Sequence, residues 1–415
     1  MSTARRLEAG ELELGGGLEV LVAAALEGMR AGARLEVITP SRSTALELPS
    51  WARAAGHEAV GERIPPGGPY AVKIERGPFA RVLADALPDP GTAPQLRGSG
   101  ELHTADLRSA QEVPAQVEAA AGFAPLGAVA ERGAPAFRWS LNDRDALWAD
   151  DVDELTEQAS AAQWDASRDV PWEAVGGLPE FIERAVSQVM TFIAQNEYAA
   201  LYVPAGFLAD VNPAYPEMLM WLASHVHDEA RHVEVFTKRS LIGGQPSYAL
   251  ASTELSLHTL LDERDFSGAA LLLNVLGEGT FLDLLRFVEH HAPDAATRAA
   301  AALAHRDEVR HVHFGISHVR RRIATDPDQR AALIGAAERR AEKLTEMSGL
   351  SPLLTEGLTV MAAGSLQPAE LASGAAAVRG LTETMEDNRI KRLRAAGFDH
   401  RDARHLSDLH TPNLM

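Results

Sequence analysis

The sequence predicts a mainly α-helical protein: a four-helix bundle with a C-terminal helical extension, preceded by a small α+β region. Three observations predict it. Four long stretches, 181–203, 216–239, 266–290 and 295–323, repeat apolar residues at a 3.6-residue period without internal proline. The first 140 or so residues are instead cut by glycine and proline into short apolar runs. Within the long helical stretches, one pattern, a glutamate followed at a distance by Asp-Glu-x-x-His, occurs twice.

In the N-terminal region, Leu-Glu-Val-Ile-Thr at 35–39 and Tyr-Ala-Val-Lys-Ile at 70–74 read as strands. Residues 18–30 carry helical spacing, and Leu-Pro-Ser-Trp-Ala-Arg-Ala-Ala at 48–55 reads as the first turns of a second helix. The order is β-α-β-α-β-β. The stretch 48–56 recurs loosely at 113–122 and the two continue in parallel, with Gly61, Gly67 and Pro69 opposite Gly127, Gly133 and Pro135, which suggests a degenerate second copy over 79–142. Residues 143–177, rich in Asp and Trp, read as a polar lead-in to the bundle at 178–325. The extension, 326–415, holds helical patterns at 331–347 and 368–395 and ends in an irregular tail. Pro179, Pro213, Pro216 and Pro293 lie near helix starts, where a missing N–H costs nothing.

At 415 residues the chain exceeds the size at which single cores stop growing, so two or three domains are expected. Its formal net charge of −19, from 58 acidic and 39 basic residues, repels phosphate backbones and anionic lipid, which argues against nucleic-acid and membrane partners. Without cysteine, disulfides, thiolate zinc sites, iron–sulfur clusters and cysteine nucleophiles are excluded, so a metal must use oxygen and nitrogen ligands. No signal-peptide pattern opens the sequence and no apolar run reaches membrane-spanning length, so a cytoplasmic location is expected.

The repeated pattern is Glu197 with Asp228-Glu229-Ala-Arg-His232, and Glu278 with Asp307-Glu308-Val-Arg-His311. The separations from glutamate to glutamate, 32 and 30 residues, suit a run up one helix and back to the same height, so each pair marks an antiparallel hairpin. Glu and His three apart project from one helix face and can reach one metal. Together the copies supply four carboxylates and two imidazoles, a set that holds and neutralises two divalent ions. Glu197 and Glu278 lie in apolar surroundings, where an unpaired carboxylate costs several kcal/mol. A metal removes that penalty.

The doubled motif resembles the ferritin-like di-iron carboxylate oxygenases over about 178–323. The resemblance implies a ferritin-like bundle and an enzyme, a non-haem di-iron oxidoreductase of monooxygenase type. Two iron ions, or manganese in their place, would be held by Glu197, Glu229, His232, Glu278, Glu308 and His311. Glu197, Glu229 and His232 would hold one, and the other three the second. Dioxygen, a small-molecule substrate and an external electron donor would be the partners, and a homodimer is an expected assembly. Hydroxylation, N-oxygenation and desaturation are all open, with iron oxidation or storage and di-manganese catalase chemistry as alternatives. The same resemblance makes Asp228 and Asp307 hydrogen-bond partners of the ligand histidines.

His225, one turn before Glu229, is a candidate seventh ligand, since the arylamine N-oxygenases carry an extra ligand histidine before a Glu-x-x-His motif, although there it precedes the second copy. His305 has a weaker claim, and His227 and His313 are expected to face elsewhere. Thr280 and Phe281 are placed at the pocket, Tyr198 and Tyr202 among packing residues, and Arg231 and Arg310 on solvated or ion-paired faces. In reductase radical subunits a tyrosine follows the first ligand by two turns. That position is Pro204 here, which disfavours such a role.

Residues ~8–77 resemble the small TusA-like sulfur-carrier fold through Arg-Leu-Glu-Val-Ile, the helix from Leu48 and the strand Tyr-Ala-Val-Lys-Ile-Glu. The family's sulfur-carrying Cys-Pro is absent, with Gly15-Gly-Gly17 in its place. A structural or recruiting role is what remains.

Overall fold

A computed structural model of the protein describes residues 5–77, 96–108, 113–123, 125–126, 137–344 and 351–410. They form two compact units, an N-terminal sheet unit and a larger helical unit.

The first unit runs β1 (Arg5–Glu8), α1 (Leu18–Glu27), β2 (Arg34–Thr39), α2 (Arg42–Ala54), β3 (Glu58–Arg63) and β4 (Tyr70–Glu75), the β-α-β-α-β-β order read from the sequence. Its sheet has the order β1-β2-β4-β3, parallel between β1 and β2 and antiparallel elsewhere. Alternation along β2 turns Leu35 and Val37 to one face, where Val72 and Ile74 join them under Leu18, Val22 and Leu26 of α1 and Leu48 of α2. Helix α2 starts six residues before the predicted point. Ser41 accepts a hydrogen bond from the Thr44 N–H and caps it there, which leaves Pro49 inside the helix instead of at its start. Half of the suggested second copy at 79–142 falls outside the described residues.

The helical unit holds a two-residue ribbon, β5 (Ala120–Ala121) with β6 (Phe137–Arg138), and then α3 (Val152–Ala161), α4 (Glu180–Leu208), α5 (Pro216–Ile242), α6 (Ala251–Leu261), α7 (Phe266–His291) and α8 (Ala295–Thr325). The extension adds α9 (Asp328–Leu344), α10 (Pro352–Ala363), α11 (Pro368–Ala395) and α12 (His400–His410).

Helices α4, α5, α7 and α8 are the bundle. Glu183 pairs with Arg239 while Glu197 meets Glu229, so α4 and α5 run antiparallel. In the same way Ser267 bonds His318 and Arg286 bonds His305 across α7 and α8. Asp294 caps α8 through the Thr297 N–H and also takes Arg239, which ties the end of one hairpin to the turn of the other. Helix α4 does not stop at Val203 but runs through Pro204 to Leu208. By length and composition α7 could cross a membrane, but 94% of its most apolar window is buried inside the protein.

In the middle of α7, Leu271–Glu278 is a π-helix. Gly315 of α8 lets the helices approach there, since a Cβ on it would lie 2.5 Å from the Asn274 Cβ. The predicted irregular tail is instead helix α12, which buries Ala403, Leu406, Ser407 and His410 on one face.

Candidate metal centre

Side chains from four helices meet at the centre of the bundle. Glu197 comes from α4, His225, Glu229 and His232 from α5, Glu278 from the end of the π segment, and Glu308 and His311 from α8. All seven are buried. Their donor atoms form two groups, each within 4.8 Å: Glu197, Glu229, His232 and Glu308, and His225, Glu229, Glu278 and His311.

The grouping differs from the predicted one by hairpin. Glu308 falls with Glu197 and His232, while Glu229 belongs to both groups. The reason is that α5 and α8 face each other. Glu229 Oε1 lies 2.9 Å from His311 Nδ1 and its Oε2 lies 3.3 Å from His232 Nδ1. Glu308 mirrors it, with Oε1 3.4 Å from His232 Nδ1 and Oε2 3.5 Å from His311 Nδ1. Each carboxylate thus turns one oxygen to each histidine. Glu197 and Glu278 stand at the two ends.

These close approaches are not hydrogen bonds. Both oxygens of Glu229 and of Glu308, Oε1 of Glu197 and Nδ1 of both histidines are buried without a hydrogen-bond partner among the described residues. Orphaned polar atoms at the heart of a core are costly unless something binds them. Four carboxylates and three imidazoles converging on two points suit two divalent transition-metal ions.

Charge follows the same logic. Burial raises Glu197 well above the usual carboxylate range, and Glu229 and Glu308 beside it push further the same way. Glu229 is held well below that range, because His232, His225 and His311 outweigh its burial. His232 and His311 are pushed well above the usual histidine value, against burial, by Glu229 and by their outer partners Asp307 and Asp228. The cluster holds protons where cations would replace them.

The outer partners are crossed. His232 Nε2 lies 3.3 Å from Asp307 Oδ2, and His311 Nε2 lies 3.3 Å from Asp228 Oδ2, so each aspartate serves the histidine of the other motif. Arg231 bonds Asp228 and, at 3.0 Å, Asp307, while Arg310 bonds Asp307 at 2.5 Å and Asp228 at 2.9 Å. The result is a buried ring of two arginines and two aspartates. Trp164 stacks on His232 and donates Nε1–H to Asp307 at 2.7 Å.

His225, the proposed extra ligand, stacks on His311 at 3.8 Å between ring centres and places Nε2 3.1 Å from Glu278 Oε1. Glu278 Oε2 accepts from Asn274 Nδ2 at 2.6 Å, one turn earlier in the π segment. A small apolar recess of about 20 Å³ touches His225, walled by Val203, Pro204, Phe207, Leu222 and Phe266. That is room for a water-sized guest.

Other expectations are corrected. Thr280 bonds Leu276 O and His410, and Phe281 packs on Phe192, so neither lines this recess. Tyr198 and Tyr202 are about half exposed and are not core packing residues. His305 accepts from Arg286 away from the centre, while His227 and His313 face outward as expected. The lead-in 143–177 is not merely polar, since it supplies Trp164. Sequence reasoning missed Trp164, Asn274 and the arginine ring, although Arg at the same place in both motifs was a signal.

No family model matches the chain, and neither does any curated protein. Among solved structures it is similar to R2-like ligand-binding oxidases. One, a variant with an aerobically reconstituted Mn/Fe cofactor, is 15% identical with a TM-score of 0.41, over 61% of this chain and 92% of that one. A variant with an Fe/Fe cofactor is 18% identical with a TM-score of 0.44, over 60% and 93%. A third, with a Mn/Fe cofactor, is 17% identical with a TM-score of 0.37, over 64% and 91%. The assignment of the centre rests on the geometry above.

Proposed function

We propose that the protein is a di-metal carboxylate oxidoreductase, in which two iron ions, or manganese in place of iron, activate dioxygen to hydroxylate, N-oxygenate or desaturate a small organic substrate. Glu197, Glu229, His232, Glu278, Glu308 and His311 are the ligands, with His225 as a seventh. One observation carries the reading: seven buried donors converge on two points, and their central atoms have no other partner among the described residues. When bound, the pair supplies redox electrons and Lewis acidity toward dioxygen.

The chain's own residues set the terms of that chemistry. Glu229, whose donors belong to both groups, would be shared between the two ions, with Glu308 and Glu197 holding one and Glu278 the other. Asp307 and Asp228 accept from the Nε2–H of His232 and His311, which keeps Nδ1 free as the donor. Arg231 and Arg310 hold both aspartates anionic. The mostly apolar recess beside His225 has room for a small guest. Electrons come from an external donor, and the cytoplasm is the proposed location. The N-terminal unit, with its resemblance to sulfur carriers, is assigned a recruiting or bracing role.

The test is metal content of the purified protein, repeated on a Glu229→Ala/His232→Ala double variant, followed by dioxygen uptake. About two irons per chain, lost in the variant, with dioxygen consumed on reduction, is the expected result. Iron uptake far beyond two per chain would point to storage, and no metal after aerobic iron loading would sink the proposal. A second reading has its own observation: one group holds a single imidazole and the other two, an inequality that suits manganese at the carboxylate-rich position and iron at the other. Loading with both metals together would show a 1:1 ratio if it holds.

A further inference from the structure

Away from the centre, α6 and α9 line an open cleft of about 200 Å³, together with Leu272 of α7. At its base sits Arg340, buried to 6% exposure. Of the other buried arginines, Arg231 and Arg310 pair with Asp228 and Asp307, Arg239 pairs with Glu183 and Asp294, and Arg389 donates to Ser407 O and Oγ. Arg340 has no acidic partner among the described residues. Its Nε donates to Thr259 Oγ1 at 3.0 Å and its Nη2 to Ser256 Oγ at 2.9 Å.

Those hydroxyls orient the guanidinium but do not neutralise it. The Thr259 hydroxyl spends its own proton on Ser256 O. A guanidinium has five N–H donors, so three remain for another acceptor. Burial lowers the Arg340 pKa only to about 10, which leaves it charged at neutral pH.

The mouth of the cleft adds to that charge. Lys343 pairs with Asp262 at 2.9 Å and Arg339 lies 3.6 Å from Glu263, which leaves Arg264 as a further cation. Counting Arg264, Arg339, Arg340 and Lys343 against Asp262 and Glu263 gives 4 − 2 = +2, inside a chain whose formal net charge is −19. Burying a charge without a counter-charge costs several kcal/mol. A planar fork with hydroxyls already fixed beside it is built to take a carboxylate or phosphate through paired N–H donors.

We propose that this cleft is a binding site for a small oxyanion, a carboxylate or a phosphate, held by the free donors of Arg340 with Lys343 and Arg339 at the mouth. The inference does not depend on the metal reading, because none of these residues belongs to the centre.

The experiment is calorimetric titration of the full-length protein, dialysed into a low-salt buffer free of oxyanions, with inorganic phosphate and separately with succinate. Saturable binding of one anion per chain is expected. Tighter binding of one of the two identifies the class, and Arg340→Gln should weaken it at least tenfold. The same anion should raise the melting temperature of the parent and not of Arg340→Met. Should both Arg340 variants fail to fold, Arg339→Gln/Lys343→Gln at the exposed mouth should still weaken binding severalfold. No saturable binding of either anion by the parent overturns the proposal. Binding that is equal in the parent and the folded variants does so too.

Discussion

Hairpin α4–α5 brings Glu197 in on a regular α-helix, whereas α7–α8 brings Glu278 in at the end of a π segment with Asn274 bonded to it. Equivalent positions then diverge. Seven residues after the motif glutamate stand Phe236 in α5 and Gly315 in α8, and ten residues after it stand Arg239 and His318. His225 precedes Glu229 by four where Ala304 precedes Glu308. A doubled motif therefore does not make two equal donor groups. Identical motif residues bring the two donor groups together, while the surrounding residues make the groups differ.

The sharpest way to break this comparison is to remove ligands singly. Glu229→Ala, which takes a donor from both groups, is expected to lower metal from about two per chain to near none. Glu278→Ala should leave about one, since Glu278 belongs to one group only. Equal losses, read by elemental analysis, would mean that the positions are occupied together or not at all. Next in size, His225→Ala should weaken metal binding roughly tenfold to a hundredfold at the histidine-rich position and leave the other unchanged.

The stabilities of the hairpins should also respond differently to acid. His318 is fully buried, bonded to Ser267 and to Trp148 O, and burial with the nearby Arg322 and Arg321 lowers its pKa to about 4. Its folded value is below its unfolded one, so its contribution is complete above about pH 6.5 and is lost as pH falls toward 4. The unfolded chain takes up a proton that the folded one refuses, which amounts to about 3 kcal/mol. Chemical denaturation from pH 7 to 4 should show this loss, and His318→Gln should flatten it. Arg239, the equivalent in α5, stays charged throughout. The smallest effect is Gly315→Ala. Its new methyl group would meet the Asn274 Cβ at 2.5 Å and cost about 1–3 kcal/mol, read as a fall in melting temperature, while Phe236→Leu in α5 makes no such clash.

The bundle and the six acidic and histidine side chains that meet at its centre were legible because both depend on short-range periodicity. Apolar residues at 3.6 spacing mark a helix face, and Glu and His three apart must share it. The crossed grouping was not legible, since it depends on which two helices face each other, and α5 opposite α8 leaves no mark in either motif. Trp164 was hidden for a similar reason. It reaches Asp307 across 143 residues of chain, and nothing near it in sequence announces the partner. Helix α2 was misplaced because Pro49 is a strong start signal, and the Ser41 cap eight residues earlier prevailed. Helix α12 was missed because its low apolar content conceals a face of only four buried residues.

The π segment of α7 works as a phase shifter. Each turn closed one residue wider than an α-turn rotates everything beyond it by about 100° relative to an uninterrupted helix. Glu278 closes that segment, so its direction depends on how many residues lie between Leu271 and Gly277 more than on which ones they are. Swaps among the leucines there change packing alone. Deleting a single one would swing the carboxylate toward another face of the helix while leaving every ligand in the sequence.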